Sequence, residues 1–268
     1  MKEAASPSVC NRVKEKLSRN ELVLSMTVRL VRTIEIAVLA KSAGFDSLYI
    51  DLEHSSFSLE TTSQICMASF NLGVAPFVRL ASTAPEYIGR VLDGGAVGII
   101  APHIQSAADA EAVVRAAKYP PLGTRSFTGS LPQLEFRSYP STEIFSALNQ
   151  STVVMAMIES ADALDAVEEI AAVDGVDVLF IGTNDLCASL GIPGQLDHPR
   201  VREAYVRTID ACRKRGKHVG IGGLVSNPKL AAEFVELGAR YVSTGTDLSF
   251  LSSAANAKAS QMRDLCAG

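Results

Sequence analysis

The sequence predicts an α/β protein, a single-domain (β/α)8 barrel of the TIM type. One repeated pattern carries that expectation: a helical stretch, a glycine, two linking residues, then a short β-branched apolar run. It recurs at Gly44 before SLYID, Gly73 before PFVRL, Gly95 before GIIAP, Gly175 before VLFIG, Gly216 before VGIGG and Gly238 before YVSTG. A glycine just past a helix adopts the left-handed conformation that other residues resist. A short run of apolar residues is the mark of a parallel strand buried on both faces. The second observation is length, since 268 residues is close to the size of one such barrel.

The elements follow in order. Residues 1–20 read as an N-terminal extension, with a short basic and acidic helix at 11–21 lying on the barrel floor, and 21–268 as the barrel. The first strand is LVLSMTV (22–28) and the fifth TVVMAMI (152–158), both without a glycine lead-in, which brings the strands to eight. Helices are expected over 32–43, 58–72, 84–93, 106–117, 160–172, 199–215, 227–237 and 248–266. Residues 118–150, rich in Pro, Gly, Ser and aromatics, break the rhythm, and only 141–149 reads as helical. So long an irregular segment is expected to be a lid or an oligomer contact. Periodicity does not see closure, so an open doubly wound sheet is the alternative. No G-x-G-x-x-G lies in a strand-to-helix turn, which argues against a dinucleotide site.

Composition narrows the function. Hydrophobic residues make up 47% and mean hydropathy is +0.19, enough for a large core. A net charge of −4 gives no basic footprint for nucleic acid or an anionic membrane. Five cysteines without a C-x-x-C pair point to reduced thiols in a cytoplasmic protein. The first twenty residues lack a signal-peptide stretch, and no uncharged run approaches the ~18 residues of a membrane helix.

In a parallel barrel, residues just past the strand ends gather at one mouth. Glu159 and Asp185 end the fifth and sixth strands. Two carboxylates on adjacent strands suit Mg²⁺ or Mn²⁺, which keep waters and accept substrate oxygens. The plainer reading makes them helix N-terminal acids. Arg79, ending PFVR, offers a fixed fork for a keto or enolate oxygen, or else a structural pair with Asp51 or Asp93. His54 shares a loop with Asp51 and Glu53 and suits proton transfer near neutral pH. His103, after GIIAP, is a second histidine for the mouth. The lysines fall in helices, loops and strand entrances, which argues against imine chemistry, and G-x-S-x-G is missing. Cys187 reads as packing, and Gly222-Gly223 and Thr244-Gly245-Thr246 as a phosphate site or as tight turns.

The segments AGFDSLYIDLEH, PFVRL, VLDGGAVGIIAPHI, YPPLGTRS, MIES, DGVDVLFIGTNDL and ELGARYVSTGTD together resemble the class II, metal-dependent pyruvate aldolases of the HpcH/HpaI type, over about residues 20–250. The resemblance implies a (β/α)8 barrel whose C-terminal helix swaps between subunits of a homo-oligomer, commonly a hexamer, and a 2-oxo acid substrate. It places Glu159 and Asp185 at the metal, Mg²⁺ first with Mn²⁺ or Co²⁺ as alternatives. Arg79 matches the substrate and enolate position, and His54 the acid–base position with Asp51 and Asp93 as supporting acids. Gly182, Thr183 and Asn184 match a turn whose amides hold the pyruvate carboxylate. Met157 stands where many bacterial members carry Gln, and Ser126-Phe127 replaces a small pair, changes expected to reshape the pocket. His103, MTVRLV and DLEHSSFSL look closer to the macrophomate synthase branch, in which a matching histidine contacts the acceptor. The implied function is a carbon–carbon lyase forming or using pyruvate enolate, by aldol cleavage or condensation of 4-hydroxy-2-oxo acids or by oxaloacetate decarboxylation. A lyase for malyl-CoA or citramalyl-CoA, for which no basic phosphate-binding cluster is evident, and a silent barrel scaffold are the alternatives.

Overall fold

The six glycines that precede a predicted strand all take a positive φ, from +65° at Gly216 to +134° at Gly238. Each ends a helix there and turns the chain back into the sheet. A computed structural model describes residues 6–267. The chain runs α1 (Arg12–Ser18), β1 (Val23–Val28), α2 (Glu35–Ser42), β2 (Ser47–Asp51), α3 (Leu59–Asn71), β3 (Ala75–Arg79), α4 (Pro85–Asp93), β4 (Gly98–Ala101) and α5 (Ala107–Ala117). It continues through a 3₁₀ turn (Pro132–Leu134), α6 (Ser141–Ser151), β5 (Val153–Ile158), α7 (Ala161–Asp165), α8 (Val167–Ala172), β6 (Val178–Gly182) and α9 (Thr183–Ser189). It ends with α10 (Pro199–Arg213), β7 (His218–Gly222), α11 (Pro228–Leu237), β8 (Tyr241–Thr246) and α12 (Asp247–Cys266). Every strand pairs in parallel with the next, and β1 pairs with β8, closing the barrel. The open-sheet alternative is excluded.

Two apolar layers hold the closure. Residues of one parity, among them Leu48, Ile50, Val78, Ile99, Leu179 and Ile181, face the helices. The other parity, Tyr49, Phe77, Met155, Met157, Phe180 and Tyr241, fills the barrel interior. This is the period-two alternation of a strand. Large interior rings require their neighbours to have no side chain: a Cβ at Gly220 would lie 2.4 Å from the Phe180 ring, and one at Gly98 2.2 Å from Phe77. The core is packed rather than open.

The floor is sealed by α1. Val13 and Leu17 join the interior cluster, and Asn11 Nδ2 donates to the carbonyls of Val97 and Ser151 at 3.0 and 2.8 Å. Lys14 and Lys16 pair with Asp177 and Asp46 at strand entrances, at 3.1 and 2.8 Å. Residues 118–150 also pack at this end, so the expectation that the segment covers its own mouth is not met. Lys118 Nζ donates to the carbonyls of Asn149 and Thr152, Gln133 Nε2 to those of Leu92 and Ala96, and Arg125 pairs with Asp93. The segment has a small core of its own, Tyr119, Leu131, Leu134, Ile144 and Leu148.

Two helical expectations change. The helix expected over 160–172 is broken at Ala166 into α7 and α8, and α9 is unanticipated. The C-terminal helix α12 touches the barrel only near its start, and all of residues 251–267 are exposed. No helix of the described residues is long and apolar enough to cross a membrane.

Candidate active site

The strand ends enclose a cavity of about 310 Å³, lined by Arg29, Asp51, His54, Arg79, Met157 and Asp185 among others. A larger hollow lies elsewhere among the described residues. That one, about 530 Å³, lies between the N-terminal segment, the end of α3 and residues 133–139, away from the strand ends where side chains converge.

Asp51, the last residue of β2, is fully buried and organises one wall. Its Oδ1 accepts from Arg79 Nε at 2.9 Å and from the amides of Glu53 and His54 at 3.1 Å, while Oδ2 accepts from Arg79 Nη2 at 2.6 Å. Burial works against the Asp51 charge, but the Arg79 fork, helped by the His54 amide, outweighs it and holds the carboxyl below its ordinary range. The pair with Asp51 that sequence reading offered as a rival role for Arg79 is therefore present. It does not exhaust the guanidinium. Nη1 contacts Glu53 at 2.9 Å, which leaves one N–H on each terminal nitrogen. Arg79 is 8% exposed and lines the cavity.

His54 lies on the loop after β2, and its exposed side chain lines the cavity. Asp51 holds this loop through backbone amides rather than through the imidazole, so its support is indirect. Among the described residues Asp93 does not contact His54. It ends α4, which runs from the mouth back to the floor, and pairs there with Arg125 at 2.6 Å. Within one chain, helix direction separates Asp93 from His54.

Glu159, one residue beyond β5, is 7% exposed, and Asp185 lies in the first turn of α9 after β6. Glu159 Oε1 accepts from the His103 amide at 2.6 Å. Burial pushes the Glu159 carboxyl above its ordinary range, the His103 amide works against this, and the charges of Glu53 and Asp185 add to the rise. Among the described residues no hydrogen bond or ion pair uses the Asp185 carboxylate, and no group of three or more His, Cys, Asp or Glu could hold a metal. Two hard oxygen donors, one buried against its own charge and the other unengaged, fit a cation that takes its other ligands from water and substrate. Gly182 belongs to this arrangement, since a Cβ there would sit 3.0 Å from Glu159 Oε2.

Thr183 opens α9 but points inward, its hydroxyl donating to the Gly222 carbonyl and bonding Tyr205 at 2.8 Å. Only its backbone is left for a ligand. Asn184 is exposed at the cavity, and the start of α9 has no side-chain cap. His103 sits at φ +56° with its ring 74% exposed, Nε2 2.8 Å from Glu53 and Nδ1 3.1 Å from Glu159. It faces an adjoining recess of about 290 Å³ that includes Ser82, Thr83 and Asp109, not the main cavity. Met157 lines the cavity as expected, whereas Phe127 packs with Tyr119 and Phe145 at the floor end.

Sequence reading passed over Arg29, Thr27, Ser243 and Asp247. Arg29 had a visible signal, because MTVR ends a strand in Arg as PFVR does. Asp247 had none: it begins α12, yet accepts from the amides of Arg29, Leu30 and Val31 on the far side of the β8–β1 seam, at 3.0, 3.0 and 2.7 Å.

Comparison with known proteins finds relatives of both sequence and fold. Residues 32–254 match the family described as HpcH/HpaI aldolase/citrate lyase. The chain is 40% identical over 263 residues to the 4-hydroxy-4-methyl-2-oxoglutarate aldolase tasA of Hapsidospora irregularis, with 96% of this chain and 97% of that one covered. The crystal structure of an HpcH/HpaI aldolase from Desulfitobacterium hafniense superposes with a TM-score of 0.88 at 31% identity, covering 93% of this chain and 96% of that one. Macrophomate synthase superposes at 0.82 with 22% identity, covering 97% and 90%, a likeness of fold alone.

Proposed function

The chain belongs to the HpcH/HpaI aldolase/citrate lyase family, and on that premise we propose that it is a divalent-metal-dependent carbon–carbon lyase that forms or uses the enolate of pyruvate. One observation carries the reading: Arg79, His54 and Asp185 line a single cavity at the strand ends, with buried Glu159 beside it. Pyruvate aldolases of this class are generally metal dependent. Glu159 and Asp185 would hold the ion, Mg²⁺ by preference for an all-oxygen donor set, with Mn²⁺ or Co²⁺ able to replace it. When bound, the ion supplies a Lewis acid that polarises a 2-keto oxygen.

The chain's own groups do the rest. The unused N–H bonds of Arg79 donate to the keto oxygen as negative charge gathers there during C–C cleavage. Backbone amides of Gly182, Thr183 and Asn184 take the substrate carboxylate. In aldol cleavage His54 accepts the proton of the C4 hydroxyl, the C3–C4 bond breaks, and its electron pair enters the pyruvate enolate. Oxaloacetate needs no such base, because loss of CO2 delivers the same enolate. Relatives named for 4-hydroxy-4-methyl-2-oxoglutarate favour 4-hydroxy-2-oxo acids as the substrate class.

Pyruvate release is the test. With Mg²⁺ or Mn²⁺ the purified protein should release pyruvate from 4-hydroxy-2-oxo acids and from oxaloacetate, and EDTA should abolish both reactions. Release that persists in EDTA would remove the metal from the account.

A further inference from the structure

Arg29 is a second guanidinium in the active-site cavity, and the lyase chemistry above gives it no task. It follows β1, which lies three strands round the ring from β6 and the Gly182–Asp185 turn. Its side chain is 37% exposed. Nη2 donates to the His54 carbonyl at 2.9 Å, and Nε reaches the same oxygen at 3.3 Å. Its one acidic contact among the described residues is Asp51 Oδ2 at 3.4 Å, a carboxylate already paired with the Arg79 fork. Among the described residues Nη1 has no partner, so the cation lacks an anion of its own. Its backbone is fixed, because the amides of residues 29–31 are held by buried Asp247. Thr27 and Ser243, bonded to each other at 2.8 Å, add hydroxyls on the same side of the cavity. A rigid, under-neutralised guanidinium across the mouth from the pyruvate end is suited to a second carboxylate.

We propose that Arg29 reads the distal carboxylate of a dicarboxylic 4-hydroxy-2-oxo acid and so determines specificity for that substrate class. The inference rests on the lyase reading and extends it. A substrate with carboxylates at both ends places one at the β6 turn and the other at Arg29, which fixes the cleaved bond between them. A monoacid lacks the second anchor.

Two substrates of nearly equal size separate the possibilities: 4-hydroxy-2-oxoglutarate, and 4-hydroxy-2-oxopentanoate, in which a methyl group replaces the distal carboxylate. With Mg²⁺ present, the wild type should prefer the diacid. Arg29→Gln should lower kcat/KM for the diacid by about 10- to 100-fold, mainly through KM, and affect the monoacid far less, as expected for loss of one charged hydrogen-bonded contact. Arg29→Lys should retain part of the preference, and it carries the same test should Arg29→Gln not fold. Equal losses on both substrates would mean that Arg29 only props the His54 loop, and an unchanged preference would also overturn the proposal. A wild type that cleaves the monoacid as well as the diacid overturns it while leaving the lyase reading intact. Release of pyruvate from neither compound defeats both.

Discussion

At the residue scale the site depends on how few groups satisfy several demands at once. Asp51 is buried without exposure, yet it stays charged by holding Arg79 with both oxygens and two loop amides with one of them. Arg79 is thereby fixed with N–H bonds to spare, which is how a donor becomes useful to a developing charge. The two roles assigned to Arg79 and His54 separate experimentally. Arg79→Lys keeps a cation for Asp51 but loses the planar fork, and should slow aldol cleavage and oxaloacetate decarboxylation alike, by on the order of 10²-fold. His54→Ala should slow aldol cleavage by roughly 10²–10⁴-fold and decarboxylation much less. Steady-state rates on the two substrates decide it, and equal small losses would overturn both roles.

The elements show what was legible in the chain and why. Six strands were announced by glycines whose left-handed backbone is a local requirement, and all six took it. Helix α9 was missed because TNDLCAS is short and polar at its start, and only its place after β6 makes it helical. Glu159, Asp185 and Arg79 were readable as strand-end residues, since the barrel does the gathering. Sequence gives the distance of Asp93 from β3 but not that α4 carries it to the floor, where it pairs with Arg125. Asp247, serving a loop 216 to 218 residues away, lies beyond any local signal. The 118–150 segment offers an element-scale test. Burial pushes the Lys118 ammonium down to about 8 from its usual 10.5, though the nearby Asp177 works the other way. Between those values the folded chain binds fewer protons than the unfolded one, so this residue makes stability rise with pH across that window. Against a Lys118→Met variant, the wild type should gain on the order of 2 kcal/mol between about pH 8 and 10 in chemical denaturation. A gap that does not change with pH would contradict the burial of a charged amine there.

For the whole molecule, the exposed α12 is the feature a single barrel leaves unexplained. Leu251, Met262 and Leu265 are exposed on it, and Val38 and Leu39 are exposed on α2. Helices in proteins draw most of their stability from tertiary packing, and this helix of 20 residues has little of it within one chain. Exchange of this helix between subunits, which the family resemblance implies, would cover these surfaces; if it occurs, deletion of residues 251–268 should lower the mass seen by light scattering. An unaltered mass would count against the exchange. The barrel makes the central claim possible, because parallel pairing sets the ends of β5 and β6 side by side and closure brings Arg79 of β3 to the same mouth. The most direct test of that claim is anomalous diffraction from a crystal grown with Mn²⁺ and pyruvate. A single strong peak within about 2.0–2.6 Å of carboxylate oxygens of both Glu159 and Asp185, with pyruvate beside Arg79, is the predicted result. Manganese bound elsewhere, or pyruvate held at the mouth without any ion between those two acids, would contradict it.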